Sequence, residues 1–188
     1  SEYAEKNKDD KKKQRFYTEI SKVYDAALRF MKRATEVAME TGKTEMAAGI
    51  TNLTEKAPSN LFEAMQTTII YYVLQHMFEG TYLRTLGRLD SLFYPFLKDE
   101  DERSTKELLI DFLKEIDRLN APANIPFAIG GTDAKGNCLI NELSYLFLNT
   151  YRKAETKNTK FHIICSENTP DDIIKNALDA VREGNNSI

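Results

Sequence analysis

Apolar residues recur in steps of three and four at Phe16, Ile20, Val23, Tyr24, Ala27, Met31, Ala34 and Val37. That spacing predicts one face of a long amphipathic helix stopping near Gly42. Residues 1 to 10 are polar and are expected to be frayed or disordered. A second helical stretch runs from Glu45 to Leu53 and ends in a polar turn before Pro58. Asn60 then caps a strong helix start, with Glu63 reaching back as the reciprocal half of a capping box. Phe62, Met65, Ile69, Val73 and Met77 form the predicted buried stripe of that helix, which Gly80 interrupts. An apolar, aromatic segment from Leu86 to Leu97 contains Pro95. Ser104 and Glu107 suggest another capping box, opening a helix with Leu108, Leu109, Phe112, Leu113 and Ile116 inward.

The pattern changes after Pro122. Ile125 to Ile129 is short and apolar and runs into Gly130-Gly131, a strand entering a tight turn. Asp133 to Gly136 is turn chemistry, and Cys138-Leu139-Ile140 is expected to pair back as a second short strand. Asn141 caps a helix containing Leu143, Leu146, Phe147 and Tyr151, and Phe161 to Cys165 reads as a strand. Thr169 as cap and Pro170 at the first helical position start the last helix. Ile173, Ile174, Ala177, Leu178 and Val181 are its apolar side, and Gly184 its stop. The fold class predicted is α+β, mostly α-helical: residues 1–120 all helical, residues 121–188 the start of a parallel α/β layer. Two or three strands leave sheet edges unpaired and faces uncovered, so that layer is unfinished.

Composition narrows the function classes. A chain of 188 residues, 41% hydrophobic and 29% charged with a net charge of −3, suits one soluble domain. That balance gives no reason to expect nucleic acid or an anionic membrane as partner. Lys11-Lys12-Lys13 follows Asp9 and Asp10 and reads as a solvated helix end. No signal-peptide pattern is present, and the apolar run Ile69 to Phe78 is broken by Gln75 and His76. It falls short of the roughly 20 residues a spanning helix needs. Cys138 and Cys165 form no Cys-x-x-Cys pair and are expected to be reduced in a cytoplasmic protein. With only His76 and His162 available, no metal site is expected.

Several blocks together resemble the glycyl radical enzyme superfamily, which includes pyruvate formate-lyase and the glycerol, choline and hydroxyproline enzymes. Phe16 to Ala38, with Arg33-Ala34, is similar to the family's helix leading to an Arg-Tyr-Ala-type motif. Ala57-Pro58-Ser59-Asn60-Leu61-Phe62-Glu63-Ala64-Met65-Gln66 resembles the segment aP-x-x-F-x-E-A-l-Q, with Leu61 in place of the phenylalanine. Gly87-Arg88-Leu89-Asp90 with Tyr94-Pro95 resembles G-R-x-D-q-x-x-x-P. Gly130-Gly131, Gly136 and Asn141-Glu142-Leu143-Ser144-Tyr145-Leu146 resemble G-G-x-x-x-x-G-x-x-x-x-N-e-L-S-y-l, and Thr169-Pro170-Asp171 the t-P-d helix start. Five blocks in the family's order cover most of the chain. One departure is Ile164, where family members often carry an arginine.

The resemblance implies a barrel of two half-sheets wrapped by helices, of which residues 121–188 would be the first strands of an incomplete half-barrel. It implies a thiyl-forming cysteine in a Gly-Cys-Val-Glu-like loop and a radical-storing glycine in a late Arg-Val-x-Gly-Tyr-like loop. Neither motif occurs here, and neither Cys138 nor Cys165 matches the thiyl position, so both read as small buried hydrophobes. The expected function is therefore that of a fragment of an anaerobic radical lyase, dehydratase or formate acetyltransferase-like enzyme, itself inactive. No bound cofactor is expected; the parent would carry a glycyl radical installed by an iron-sulfur, S-adenosylmethionine activating enzyme. The expected partners are the missing C-terminal part, that activating enzyme and a second copy in a homodimer. The alternative is a stand-alone, non-catalytic helical binding protein derived from the family.

Individual residues carry paired readings. By the resemblance, Tyr82 and Arg84 belong to a segment lining the substrate pocket; Arg84 either holds a substrate carboxylate or is a helix-end arginine. The resemblance also implies that Phe127, Gly131 and Thr132, at the end of the first strand, face the reaction chamber, with core packing the competing role for Phe127. Arg88, Asp90 and Asn141 are read as architectural, an ion pair or caps, although Asp90 shaping an active-site wall is the other possibility. His162 reads as a satisfied core or interface histidine rather than a base.

Overall fold

In the computed structural model, which describes residues 2–80, 84–97, 101–119, 125–185 and 188, the chain forms two compact units, Ser1–Pro58 and Ser59–Ile188. Their boundary falls within the helical half, ahead of the change from helix to strand near residue 120. The fold is mostly helical with a small open parallel sheet, as expected of an incomplete α/β barrel of the pyruvate formate-lyase type.

The first unit contains α1 (Glu2–Lys6), α2 (Lys11–Glu40) and α3 (Thr44–Leu53). The polar N-terminus is ordered into α1, with Tyr3 stacked on Tyr17 at 5.5 Å. Asp10 caps α2 by accepting from the backbone of Lys12 and Lys13, which offsets three lysines at the positive end of the helix. Of the predicted α2 stripe, Met31 is buried whereas Phe16, Val23, Tyr24 and Val37 are exposed.

The second unit holds α4 (Leu61–Glu79), α5 (Leu89–Phe93) with a 3₁₀ turn at Tyr94–Phe96, α6 (Glu102–Arg118), β1 (Ile125–Gly130), α7 (Glu142–Ala154), β2 (Thr159–Ile164) and α8 (Asp171–Arg182). Asn60 caps α4 through the Glu63 N–H, but the Glu63 carboxylate turns one residue further back, accepting from the N–H and hydroxyl of Ser59 at 2.8 Å each. The buried side of α4 carries Leu61, Ala64, Met65 and Tyr72, and Met77 is exposed, so the predicted stripe is rotated. This helix is apolar nearly all round, and periodicity alone selects no face. The cap of α6 is Asp101, three residues before the expected Ser104, whose hydroxyl donates to Asp101; Glu107 pairs with Arg103 instead. A carboxylate outcompetes a hydroxyl for the first-turn N–H groups.

β1 and β2 pair in parallel, Phe127 opposite Phe161. Cys138 makes only an isolated bridge to Thr132, so the second short strand expected at residues 138–140 does not form. Pro170, not Thr169, occupies the cap position of α8, and the Thr169 hydroxyl accepts from the Ser166 N–H. Cys165 is exposed and Cys138 half-buried, which corrects the expectation that both are buried. His162 is likewise exposed, on the sheet face opposite Phe161.

The core lies between the sheet and α5, α6 and α7. Phe127 sits 5.0 Å from Phe161 and 5.6 Å from Phe147, with Tyr151 5.1 Å from Phe161 and Phe93 5.4 Å from Phe112. The Tyr151 hydroxyl donates to the Thr159 carbonyl, so this ring is buried without an unmet donor. Phe127→Ala, which empties the centre of the cluster, is expected to destabilise the unit by about 3–5 kcal/mol in urea unfolding. Met77→Ala is expected to leave the midpoint within about 0.5 kcal/mol of the parent.

Candidate functional site

Of the residues singled out by sequence, Arg88, Asp90, Gly131, Thr132 and Asn141 gather at the carboxyl end of β1. Residues 86–88 run beside β1: the Leu86 N–H donates to the Pro126 carbonyl at 2.9 Å, and the Ala128 N–H to the Gly87 carbonyl at 2.8 Å. This places Arg88 and the first turn of α5 over the Gly130-Gly131 turn. Asp90 is fully buried, and its Oδ2 accepts from the Gly130 N–H at 2.7 Å and from the Ser144 hydroxyl at 2.6 Å. Its Oδ1 accepts from the Ser91 N–H at 2.7 Å. Arg88 does not pair with Asp90; its Nη1 points to the carbonyls of Gly130 and Thr132 at 3.4 and 3.5 Å. Both backbone polar groups of one residue are thus engaged, the Gly130 N–H by Asp90 and its carbonyl by Arg88. A buried carboxylate is tolerable only with such donors around it.

Ser144 joins this node to α7. Its hydroxyl accepts from the Asn141 N–H at 3.0 Å while donating to Asp90, and the Asn141 side chain accepts from the N–H groups of Leu143 and Ser144. The cap of α7 and the latch on β1 share one hydroxyl. Sequence reasoning assigned Ser144 no role. An Asn-x-x-Ser spacing signals the local capping half, but nothing in the sequence links it to a carboxylate 54 residues away.

The two glycines have steric reasons. Gly130 and Gly131 adopt φ of 75° and 88°, values that L side chains rarely adopt. A Cβ on Gly130 would lie 2.7 Å from Ile140 Cδ1, and one on Gly131 3.2 Å from Arg88 Nη1. The Gly131 N–H donates to the Ile164 carbonyl at 2.8 Å, holding the ends of the two strands together. Thr132, next in the chain, is exposed. Beyond it Asp133 accepts from the backbone of Lys135 and Asn137 and from the Asn137 amide, interactions led by the Asn137 side chain that hold its carboxyl below the usual value of 3.8.

The other predicted residues lie elsewhere. Phe127 is wholly within the aromatic core. Arg84 forms an ion pair with Glu79 at the end of α4, and its Nε is buried without a hydrogen-bond partner. It borders a concavity of about 270 Å³ with Thr67, Tyr71 and Gln75. Tyr82 lies outside the described residues. An open groove of about 640 Å³ between Tyr94, Glu142, Tyr145 and Asn149 contains none of the predicted site residues. Among the described residues, no group of three or more His, Cys, Asp or Glu side chains is arranged to hold a metal ion, and no helix is long and apolar enough to cross a membrane.

Comparison with known proteins identifies the family. A family model described as pyruvate formate lyase-like matches residues 1–188. A (2S)-3-sulfopropanediol dehydratase of Klebsiella oxytoca is 21% identical over 92% of the chain. A glycyl radical enzyme from Archaeoglobus fulgidus superposes with a TM-score of 0.74 at 22% identity over 87% of the chain. The B12-independent glycerol dehydratase from Clostridium butyricum superposes with 0.75 at 18% over 85%. A hydroxyproline dehydratase from Clostridioides difficile, solved with trans-4-hydroxy-L-proline bound, gives 0.67 at 18% over 86%. The chain spans 25% of the sulfopropanediol dehydratase, 25% of the Archaeoglobus enzyme and 24% of the other two.

Two outcomes follow from the node. Asp90→Ala leaves the Gly130 N–H and the Ser144 hydroxyl without their acceptor and is expected to cost about 3 kcal/mol in urea unfolding. Asp133→Asn tests the turn. A carboxyl held low in the folded state contributes stability above its unfolded value, lost as pH falls through the folded one. The parent's thermal midpoint should therefore fall more steeply than the variant's between about pH 5 and pH 2.

Proposed function

Because the chain belongs to the pyruvate formate lyase-like family, we propose that it is the front portion of a glycyl radical enzyme acting anaerobically on a small substrate as a radical lyase or dehydratase. The family match along the whole chain carries this reading. The named relatives that are dehydratases of small hydroxylated molecules favour dehydration over formate transfer. Residues 1–120 supply helical wall and residues 121–188 the first strands of the barrel.

In this reading Gly131 and Thr132 face the reaction chamber, since ligands in parallel α/β sheets gather at the carboxyl ends of strands. Arg88, Asp90 and Asn141 hold that turn in place, Phe127 supports it from beneath, and Tyr82 and Arg84 belong to the chamber wall. Arg84 would release Glu79 to take a substrate carboxylate. The glycyl radical, installed by a separate iron-sulfur, S-adenosylmethionine enzyme, supplies the hydrogen-abstracting chemistry through a cysteine outside these residues. The parent is a cytoplasmic homodimer, and this chain's residues serve to position substrate and exclude water and oxygen.

The test is to read the source gene past the codon for Ile188. An open frame leading into a Gly-Cys-x-Glu loop and a late Arg-Val-x-Gly-Tyr loop is expected, and an immediate stop overturns the proposal. The 188-residue chain alone, incubated anaerobically with an activating enzyme, should show no glycyl radical signal in electron paramagnetic resonance.

A further inference from the structure

Helices cover one face of the sheet. Phe147 and Tyr151 of α7 pack on Phe127, and the Tyr151 hydroxyl donates to the Thr159 carbonyl. α8 lies on that side too: Tyr145 of α7 donates to Asp172 at 2.9 Å, Arg152 pairs with Glu183, and Ile173 is fully buried. Successive side chains of a strand alternate between faces, so Lys160, His162 and Ile164 project from the other face. Lys160 is half-buried there, and His162 and Ile164 are exposed.

The parallel register sets the neighbours on this helix-free face. Ala128 pairs with His162 on one side and with Arg88 on the other, so Arg88, Ala128 and His162 form one row across three segments. Two inter-strand spacings put the Arg88 and His162 backbones about 10 Å apart. The Arg88 guanidinium lies over Gly131 beside Ile164, since a Cβ on Gly131 would meet Arg88 Nη1 at 3.2 Å and Ile164 Cγ2 at 3.4 Å. Nη1 is held by the carbonyls of Gly130 and Thr132. Among the described residues, neither Nε and Nη2 of Arg88 nor the ring nitrogens of His162 have a hydrogen-bond partner.

This face is not built for a second apolar layer. Strands covered on both faces read as near-continuous apolar runs, whereas β2 sets a lysine and a histidine on its open side. Apolar packing there would bury the polar ends of Lys160 and His162 without partners, which is costly. A polar occupant within reach of the imidazole and of the free edge of Arg88 meets both groups instead.

Resting on the proposed front portion of a radical enzyme, we propose that the reaction chamber lies against this helix-free face and that His162 is a substrate-contacting residue. Its imidazole hydrogen-bonds a hydroxyl of a small hydroxylated substrate lying beside Ala128. The free guanidinium edge of Arg88 bounds the same space from the opposite side. Sequence alone reads His162 as a core or interface histidine; the strand alternation and the one-sided helices assign it to the chamber.

The experiment is carbethoxylation of His162 by diethyl pyrocarbonate in the full product of the gene, followed by mass spectrometry. It is run without additive and with glycerol, trans-4-hydroxy-L-proline or (2S)-3-sulfopropanediol as probes. His162 is expected to be modified in the free protein, and about tenfold more slowly with a probe at ten times its dissociation constant. The 188-residue chain, with this face open, supplies the unprotected reference rate. Absence of modification in the full product means that polypeptide covers His162, and equal rates with and without all three probes mean that it faces bulk solvent. Either result, with the gene continuing into both radical loops, overturns the inference and leaves the proposed function standing. A gene that stops at Ile188 overturns both.

Discussion

The buried carboxylate of Asp90 is the contact on which the second unit depends. Three segments far apart in sequence converge on it: residues 88–91, the end of β1 and the first turn of α7. Each brings a donor that would otherwise be buried without an acceptor, and an unmet buried donor costs about 1–3 kcal/mol. The carboxylate in turn is stable in the interior only because those donors surround it. Carboxylate and donors therefore stand or fall together, which fixes the turn at one position relative to α5 and α7.

Around that node the geometry is that of a support rather than a reaction centre. Gly130 and Gly131 are required by positive φ and by the approach of Ile140 and Arg88, so no ligand is needed to explain them. What the support achieves is to hold the strand ends and Thr132 at the surface in a fixed backbone conformation. The Asp90 latch, with donors from the end of β1 and from α7, supplies that rigidity.

The sheet itself is incomplete by any physical standard. Two parallel strands rarely stand alone, because such sheets bury both faces. The unit nevertheless has a real core, since six aromatic rings from α5, α6, α7 and both strands interlock. This explains how a short sheet can be held on one face while His162 and Ile164 stay exposed on the strand beside it.

Much of this was legible from sequence because it rests on local rules. Asn60 and Asn141 cap helices, Gly80 ends α4 in the left-handed conformation, Gly130-Gly131 form the turn after β1, and the period of α6 places Leu109, Phe112, Leu113 and Ile116 inward. Each depends on residues within one or two turns of each other. The rotated face of α4, the replacement of Ser104 by Asp101 as cap and the exposure of Cys165 were not legible, because they turn on competition among several acceptable local choices. The site was half legible: Arg88, Asp90 and the glycines stand out as motifs, but their roles do not. Whether Arg88 pairs with Asp90 or with a carbonyl, and whether Ser144 merely caps or also bridges, depends on groups 40 to 54 residues apart. Sequence by itself determined the long helices, the two paired strands and the chemistry on offer, though not α1 or the absence of a strand at residues 138–140. Only the tertiary structure decided which donor meets which acceptor, because burial brings distant polar groups within reach and penalises any left without a partner.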